Sequence, residues 1–211
     1  MRGVAETPYL REPGYAERYR ERRFSTGSGA RTDARERAAL AALLATAAWS
    51  DGPWLDVPCG AGRMSAELPG AVIQVDRDLA MVTACGPGRP RACASVHELP
   101  FGDRTFAGAL CHRLLQHIPT AVERIDILRE LARVCRGPIV VSFFDACSLQ
   151  HLRRVVRRRF GKIRSGRCAV RRDTFFAELR AAGLEVQAVH SLRRFVAEQT
   201  LVLCTPGPGR N

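Results

Sequence analysis

Trp54-Leu55-Asp56-Val57-Pro58-Cys59-Gly60-Ala61-Gly62-Arg63 is a short apolar run that ends in an acid and then turns through a proline and two glycines. A helical pattern begins near Met64. The stretch reads as a strand, a tight turn and a helix start. Glycine has no Cβ, so backbone at such a turn can approach a ligand closely. A helix behind the turn presents free N–H groups and the positive end of its dipole. A turn of this kind fits the edge of a nucleotide-like cofactor, although ordinary strand-to-helix turns use glycine too.

A second acid gives the turn its meaning. Asp76 ends the next apolar run, Ala71-Val-Ile-Gln-Val75. An acid at the tip of a second strand is placed to accept hydrogen bonds from a ribose diol. Outward from this pair, short apolar runs alternate with helical patterns. A helix is expected over 33–48, capped by Asp33, and a short one over 64–68 before Pro69-Gly70. Another is expected over 79–85, capped by Asp78. Strands are expected over 91–95 and 105–111. An amphipathic helix over 121–136 leads to the continuous apolar run 139–144, which suits a buried central strand. A helix from Asp173 to Ala182 ends at Gly183, and strands over 184–189 and 195–203 close the chain. This alternation implies an α/β fold with a doubly wound, mostly parallel sheet.

At the level of motifs the sequence resembles the class I S-adenosylmethionine-dependent methyltransferases. Asp56-Val-Pro-Cys-Gly-Ala-Gly62 looks like their first motif, with Pro58 where a glycine is common. Val75-Asp76-Arg-Asp-Leu-Ala-Met81 looks like the second. His97-Glu-Leu-Pro-Phe-Gly-Asp-Arg-Thr-Phe106 and Leu114-Leu-Gln-His-Ile118 look like the third and fourth. The resemblance spans about residues 35–204. It implies a seven-stranded sheet with an antiparallel last strand in a three-layer α/β/α sandwich, and S-adenosyl-L-methionine as cofactor. Carried over residue by residue, it implies that Asp56, Pro58, Cys59, Gly60 and Gly62 cradle the cofactor. Asp76 would take its ribose hydroxyls and Met81, Ser95 and Val96 would meet its adenine, with Arg77 and His112 as further cofactor-binding residues. Ser95 stands where an aspartate is frequent, and Ala107 where one commonly follows the phenylalanine. His117 matches a position facing the substrate, where it can act as general base. Tyr15, Tyr19, Arg113 and Arg157 are the candidate acceptor-binding residues.

Composition sets the limits. The 211 residues are 46% hydrophobic, enough for one domain with a full core. No apolar run reaches transmembrane length, and Met1-Arg-Gly-Val-Ala-Glu lacks a signal-peptide stretch, so a cytoplasmic protein is expected. The eight cysteines form no Cys-x-x-Cys pair and read as reduced thiols; no metal is expected. The net charge is +12, with Lys162 the single lysine among 33 basic residues. Such a balance suits an anionic membrane, an acidic small substrate or nucleic acid. Residues 1–32 form an N-terminal extension that can serve as a lid. Residues 33–211 form the domain, with a basic insertion over about 147–172. In that insertion Leu149, Leu152, Val155, Val156 and Phe160 share one helical face. Sparse aromatic residues there make nucleic acid a weaker partner than an anionic acceptor or lipid surface.

These readings favour methyl transfer to a small-molecule or lipid-like acceptor, anionic in character. The alternatives are an RNA or protein methyltransferase, or a non-catalytic cofactor-binding protein. A nicotinamide-dependent reductase fits less well, because Ser65 replaces the third glycine of the dinucleotide pattern and no Tyr-x-x-x-Lys pair is present.

Overall fold

Seven strands lie in one sheet in the order β3-β2-β1-β4-β5-β7-β6 in a computed structural model, which describes residues 27–160 and 166–207. β1 (Trp54–Asp56) is central and pairs in parallel with both β2 (Val72–Asp76) and β4 (Gly108–Cys111). β3 (Arg91–Cys93) and β5 (Ile139–Phe144) extend the parallel set on either side. β7 (Gln199–Pro206) runs antiparallel to β5, and β6 (Leu184–Ser191) antiparallel to β7. The expected seven-stranded sheet with an antiparallel last strand is therefore observed.

Strand alternation sorts the core into two layers. Leu55, Ala109, Cys111, Val141 and Phe143 pack on one face against α3 (Ala121–Val134) and α5 (Arg172–Ala181), through Ile127, Leu131, Phe175 and Leu179. Trp54, Leu110, Val140 and Leu203 pack on the other against Leu40, Leu43 and Leu44 of α1 (Gly27–Leu44). α2 (Leu79–Ala84) is capped by Asp78, whose carboxylate accepts from the Ala80 amide at 2.9 Å. α3 is tied to α5 by Arg124, which donates to Glu178 at 2.8 Å in the buried seam between them.

Several boundaries differ from the sequence reading. α1 is already helical at Gly27, and Asp33 lies inside it, because its carboxylate is taken by Arg37 at 2.7 Å and by Arg63. The helix expected over 64–68 is a single 3-10 turn, Ser65–Glu67, since Pro69-Gly70 halts the chain one turn in. No dipole of useful length stands behind the glycine turn. Asp173 sits in the first turn of α5 rather than at its cap, holding the Thr174 amide at 2.7 Å. The last strand begins at Gln199 rather than 195, because Arg193 turns the chain by accepting from the Val196 and Ala197 amides. All eight cysteines are unpaired. Tyr15 and Tyr19 lie outside the described residues.

Candidate active site

The carboxyl ends of β1, β2 and β4 meet where the strand order reverses, which is where open α/β sheets bind ligands. A cavity of about 780 Å³ opens there. At its inner end Asp76 holds the turn in shape: its Oδ2 accepts from the Gly60 amide at 2.8 Å and its Oδ1 from the Asp78 amide at 3.0 Å. Gly60 has a φ of +54°, and a Cβ added to it would meet nothing within 4 Å. The turn is thus open toward the cavity at Gly60, and its backbone is free for a ligand to approach. Asp56 is buried beneath it, where desolvation raises its carboxyl to about 7 against the hydrogen bond that Ser65 Oγ donates at 2.6 Å. Burial likewise raises Asp76, against the amides that donate to it.

Most of the expected residues come together. Asp56, Pro58, Cys59 and Gly60 line the inner end of the cavity, with Asp76 and Arg77 beside them. Met81, Ser95 and Val96 form one wall, next to Leu79, which is 65% exposed although it heads a helix over the core. His112, Arg113 and His117 form the opposite side. The 3-10 turn Leu115–His117 places the His117 ring at the exposed rim.

Two expectations need correction. Gly62 does not line the cavity. Its absent Cβ points into the protein, where it would stand 2.7 Å from Gln74 Nε2 and 3.3 Å from Cys85 Sγ, so this glycine serves packing. Arg157 lines neither this cavity nor the smaller one beside it; it is exposed on α4 (Leu149–Arg159). The basic insertion reaches the site instead through Arg167, whose guanidinium lies 5.9 Å from the Phe144 ring centroid at the cavity wall.

Sequence reasoning missed an ionic cluster under the site. Glu36, fully buried on α1, meets Arg63 at 2.7 Å, Arg113 at 3.0 Å and His112 Nε2 at 3.3 Å. Burial would raise its carboxyl, but the hydrogen bond with His112 and the charges of His112, Arg113 and Arg63 outweigh it and hold Glu36 at about 2. Burial holds His112 below the usual histidine value despite Glu36. The cluster staples α1 to the glycine turn and to the end of β4. Its one advance signal was an acid, Glu36, on the apolar stripe of α1. His112 Nε2 faces Glu36, but its Nδ1 and the buried Gln116 Oε1 have no hydrogen-bond partner among the described residues. Both residues line the cavity, so polar atoms await a partner there. Those atoms and the open Gly60 cradle fit a polar, nucleoside-bearing cofactor. Among the described residues no group of three metal-ligating side chains converges.

Comparison with known proteins agrees with this geometry. Residues 55–138 match the family model described as a methyltransferase domain. No curated protein sequence matches the chain. Among solved structures, magnesium protoporphyrin IX methyltransferase from Synechocystis PCC 6803, with bound S-adenosylhomocysteine, superposes with a TM-score of 0.69 at 16% identity, covering 89% of this chain and 92% of that one. A methyltransferase from Thermotoga maritima, titled a possible histamine N-methyltransferase, gives 0.67 at 16% identity, covering 91% and 96%. One from Clostridium acetobutylicum gives 0.64 at 11% identity, covering 91% and 97%. The fold is common to all three. The methyltransferase-domain match lies across the strand, turn and cavity just described, and the fold is that of the class I S-adenosylmethionine-dependent methyltransferases.

Proposed function

We propose that this methyltransferase acts on a small-molecule or lipid-like acceptor of anionic character, delivered to the cavity at the His117 side. The observation that carries the reading is the polarity of the cavity. One end offers the acids Asp56 and Asp76 and an open glycine turn, with Arg63 and Arg77 beside them, and the other offers Arg113, His117 and Arg167. S-adenosylmethionine supplies a methyl group already activated by sulfonium charge, so the chain must mainly align the partners and exclude water. Asp76 keeps spare lone pairs beyond those its two amide donors use, which suits a ribose diol. Leu79, Met81 and Val96 give adenine an apolar wall, and Ser95 adds a hydroxyl. His117 takes the proton from an oxygen or nitrogen nucleophile as its bond to the methyl carbon forms.

The lipid-like form of the reading has its own support. α4 exposes Leu152, Val155, Val156 and, just past its end, Phe160, with Arg157, Arg158 and Arg159 beside them. Basic charge around an exposed apolar stripe complements an anionic lipid surface.

Titration calorimetry tests the cofactor half. S-adenosylhomocysteine should bind and NAD should not, and Asp76→Ala should weaken binding by about 1.5–3 kcal/mol, the scale of hydrogen bonds to a charged group. Absence of heat and of thermal stabilisation with S-adenosylhomocysteine would remove the reading.

A further inference from the structure

A second cavity, of about 320 Å³, opens beside the first and shares Arg113, Phe144 and Arg167 with it. Its other walls come from α1, α4 and the link from β6 to β7. We propose that it is the subsite for an oxyanion of the acceptor, a carboxylate or a phosphate ester, held one ring-width from the reacting atom. The proposal rests on the reading that methyl transfer occurs at the His117 side of the first cavity.

Three independent observations support it. The first is charge. Arg35, Arg153 and Arg193 line the cavity from three separate elements, and none of them hydrogen-bonds or ion-pairs with a described residue through its side chain. Arg113, at 3.0 Å from Glu36, and Arg167 complete the set. The one acid in the lining, Glu198, is buried and ion-paired with Arg154 at 2.7 Å, so it does not offset the others. Arginine guanidinium groups suit this task because their N–H forks match carboxylate and phosphate oxygens.

The second is an orphaned amide. Gln199, the first residue of β7, lines the cavity at 5% exposure, and neither its Nε2 nor its Oε1 has a partner among the described residues. A buried amide left unpaired destabilises the fold, so a ligand that accepts from Nε2 and donates to Oε1 gives it a purpose. An acceptor carrying an oxyanion next to a hydroxyl or amine supplies both.

The third is the shared wall. Phe144 faces both cavities, with Arg154 and Arg167 at 5.5 and 5.9 Å from its centroid. A flat apolar surface between methyl site and anion site suits the body of an aromatic or short aliphatic acceptor, with the anion beyond it.

The test uses protein loaded with S-adenosylhomocysteine at low ionic strength, with benzoate, phenyl phosphate and inorganic phosphate as probes and benzyl alcohol as the neutral control. Benzoate or phenyl phosphate should raise the melting temperature more than benzyl alcohol, and the preferred one identifies carboxylate or phosphate as the group taken. Arg153→Gln and Arg193→Gln should each weaken that probe about tenfold, the scale of one charge-assisted hydrogen bond. Gln199→Glu, of the same shape, should weaken it at least as much by repulsion. S-adenosylhomocysteine affinity should not move in any of the three. If S-adenosylhomocysteine binds but no anionic probe outperforms benzyl alcohol, or the variants bind the probe like the parent, the subsite is wrong and the cofactor reading survives. Loss of S-adenosylhomocysteine binding by the unmutated protein would instead strike the functional reading itself.

Discussion

The two glycines of the turn, two residues apart, do different work. Gly60 has open space where a Cβ would go, whereas a Cβ on Gly62 would stand 2.7 Å from the Gln74 amide. Both have positive φ, which costs an L-residue about 1–2 kcal/mol. Gly60→Ala should therefore unfold slightly earlier and lose about tenfold in S-adenosylhomocysteine affinity, as its methyl enters the cradle. Gly62→Ala should lose about 1–3 kcal/mol more in stability from overpacking, with cofactor affinity changed less. Thermal melts beside calorimetry separate the two, and equal affinity losses would mean that both glycines meet the cofactor. Glu36 makes a second residue-scale case. The interval between its usual 4.5 and about 2 corresponds to about 3 kcal/mol. Because its proton affinity is depressed in the fold, this stabilisation is complete above about pH 4.5 and is lost as pH falls toward 2. Burial lowers the proton affinity of His112, so the unfolded chain binds that proton first and stability begins to fall below about pH 6.5. Glu36→Gln leaves Arg63 and Arg113 short of a counter-charge and should cost about 3 kcal/mol at neutral pH, read by urea unfolding at pH 7 and pH 4. An acid profile identical to the parent's would place the sensitivity elsewhere.

α4 is the element whose sequence and packing pull apart. Its stripe of Leu149, Leu152, Val155 and Val156 has the spacing of a core-facing helix, yet none of its residues is buried. Ser148 caps it, with its Oγ accepting from the His151 amide at 3.1 Å, and Arg154 anchors it by reaching Glu198. The helix is thus held at its N-terminal half and exposes its C-terminal half, where Arg157, Arg158 and Arg159 fall in the last turn. On the proposed lipid-facing role, changing these three arginines to glutamine should weaken binding to anionic phosphatidylserine vesicles, and the difference should shrink as salt is raised. S-adenosylhomocysteine affinity should stay at the parental value, since none of the three lines the cofactor cavity. Vesicle co-sedimentation equal to the parent's at low salt would reduce the segment to a solvated face.

At the scale of the whole molecule, the net charge of +12 is concentrated in part at the site, since arginines from α1, α4, the end of β4, the segment before α5 and the β6–β7 link line one cavity. The sequence by itself determined the sheet and the position of the cavity. Those follow from local signals: apolar runs of strand length, acids at the tips of β1 and β2, and a glycine turn, all readable within a few residues of chain. The resemblance then supplied the antiparallel last strand. Only the tertiary structure decided the rest. Glu36 reaches Arg63 and His112 across 27 and 76 positions of sequence, and Gln199 lines one cavity with Arg153 and Arg35, residues far from it in the chain. No periodicity encodes such meetings, because each depends on how α1 packs over the sheet edge. Gly62 looked like a ligand-facing residue because a turn motif does not say which way each missing Cβ points. Arg157 looked like a pocket residue because a helical stripe gives relative angles and not the rotation at which the helix docks. Spacing along a chain fixes what lies on one face of an element, and contact between elements fixes what that face meets.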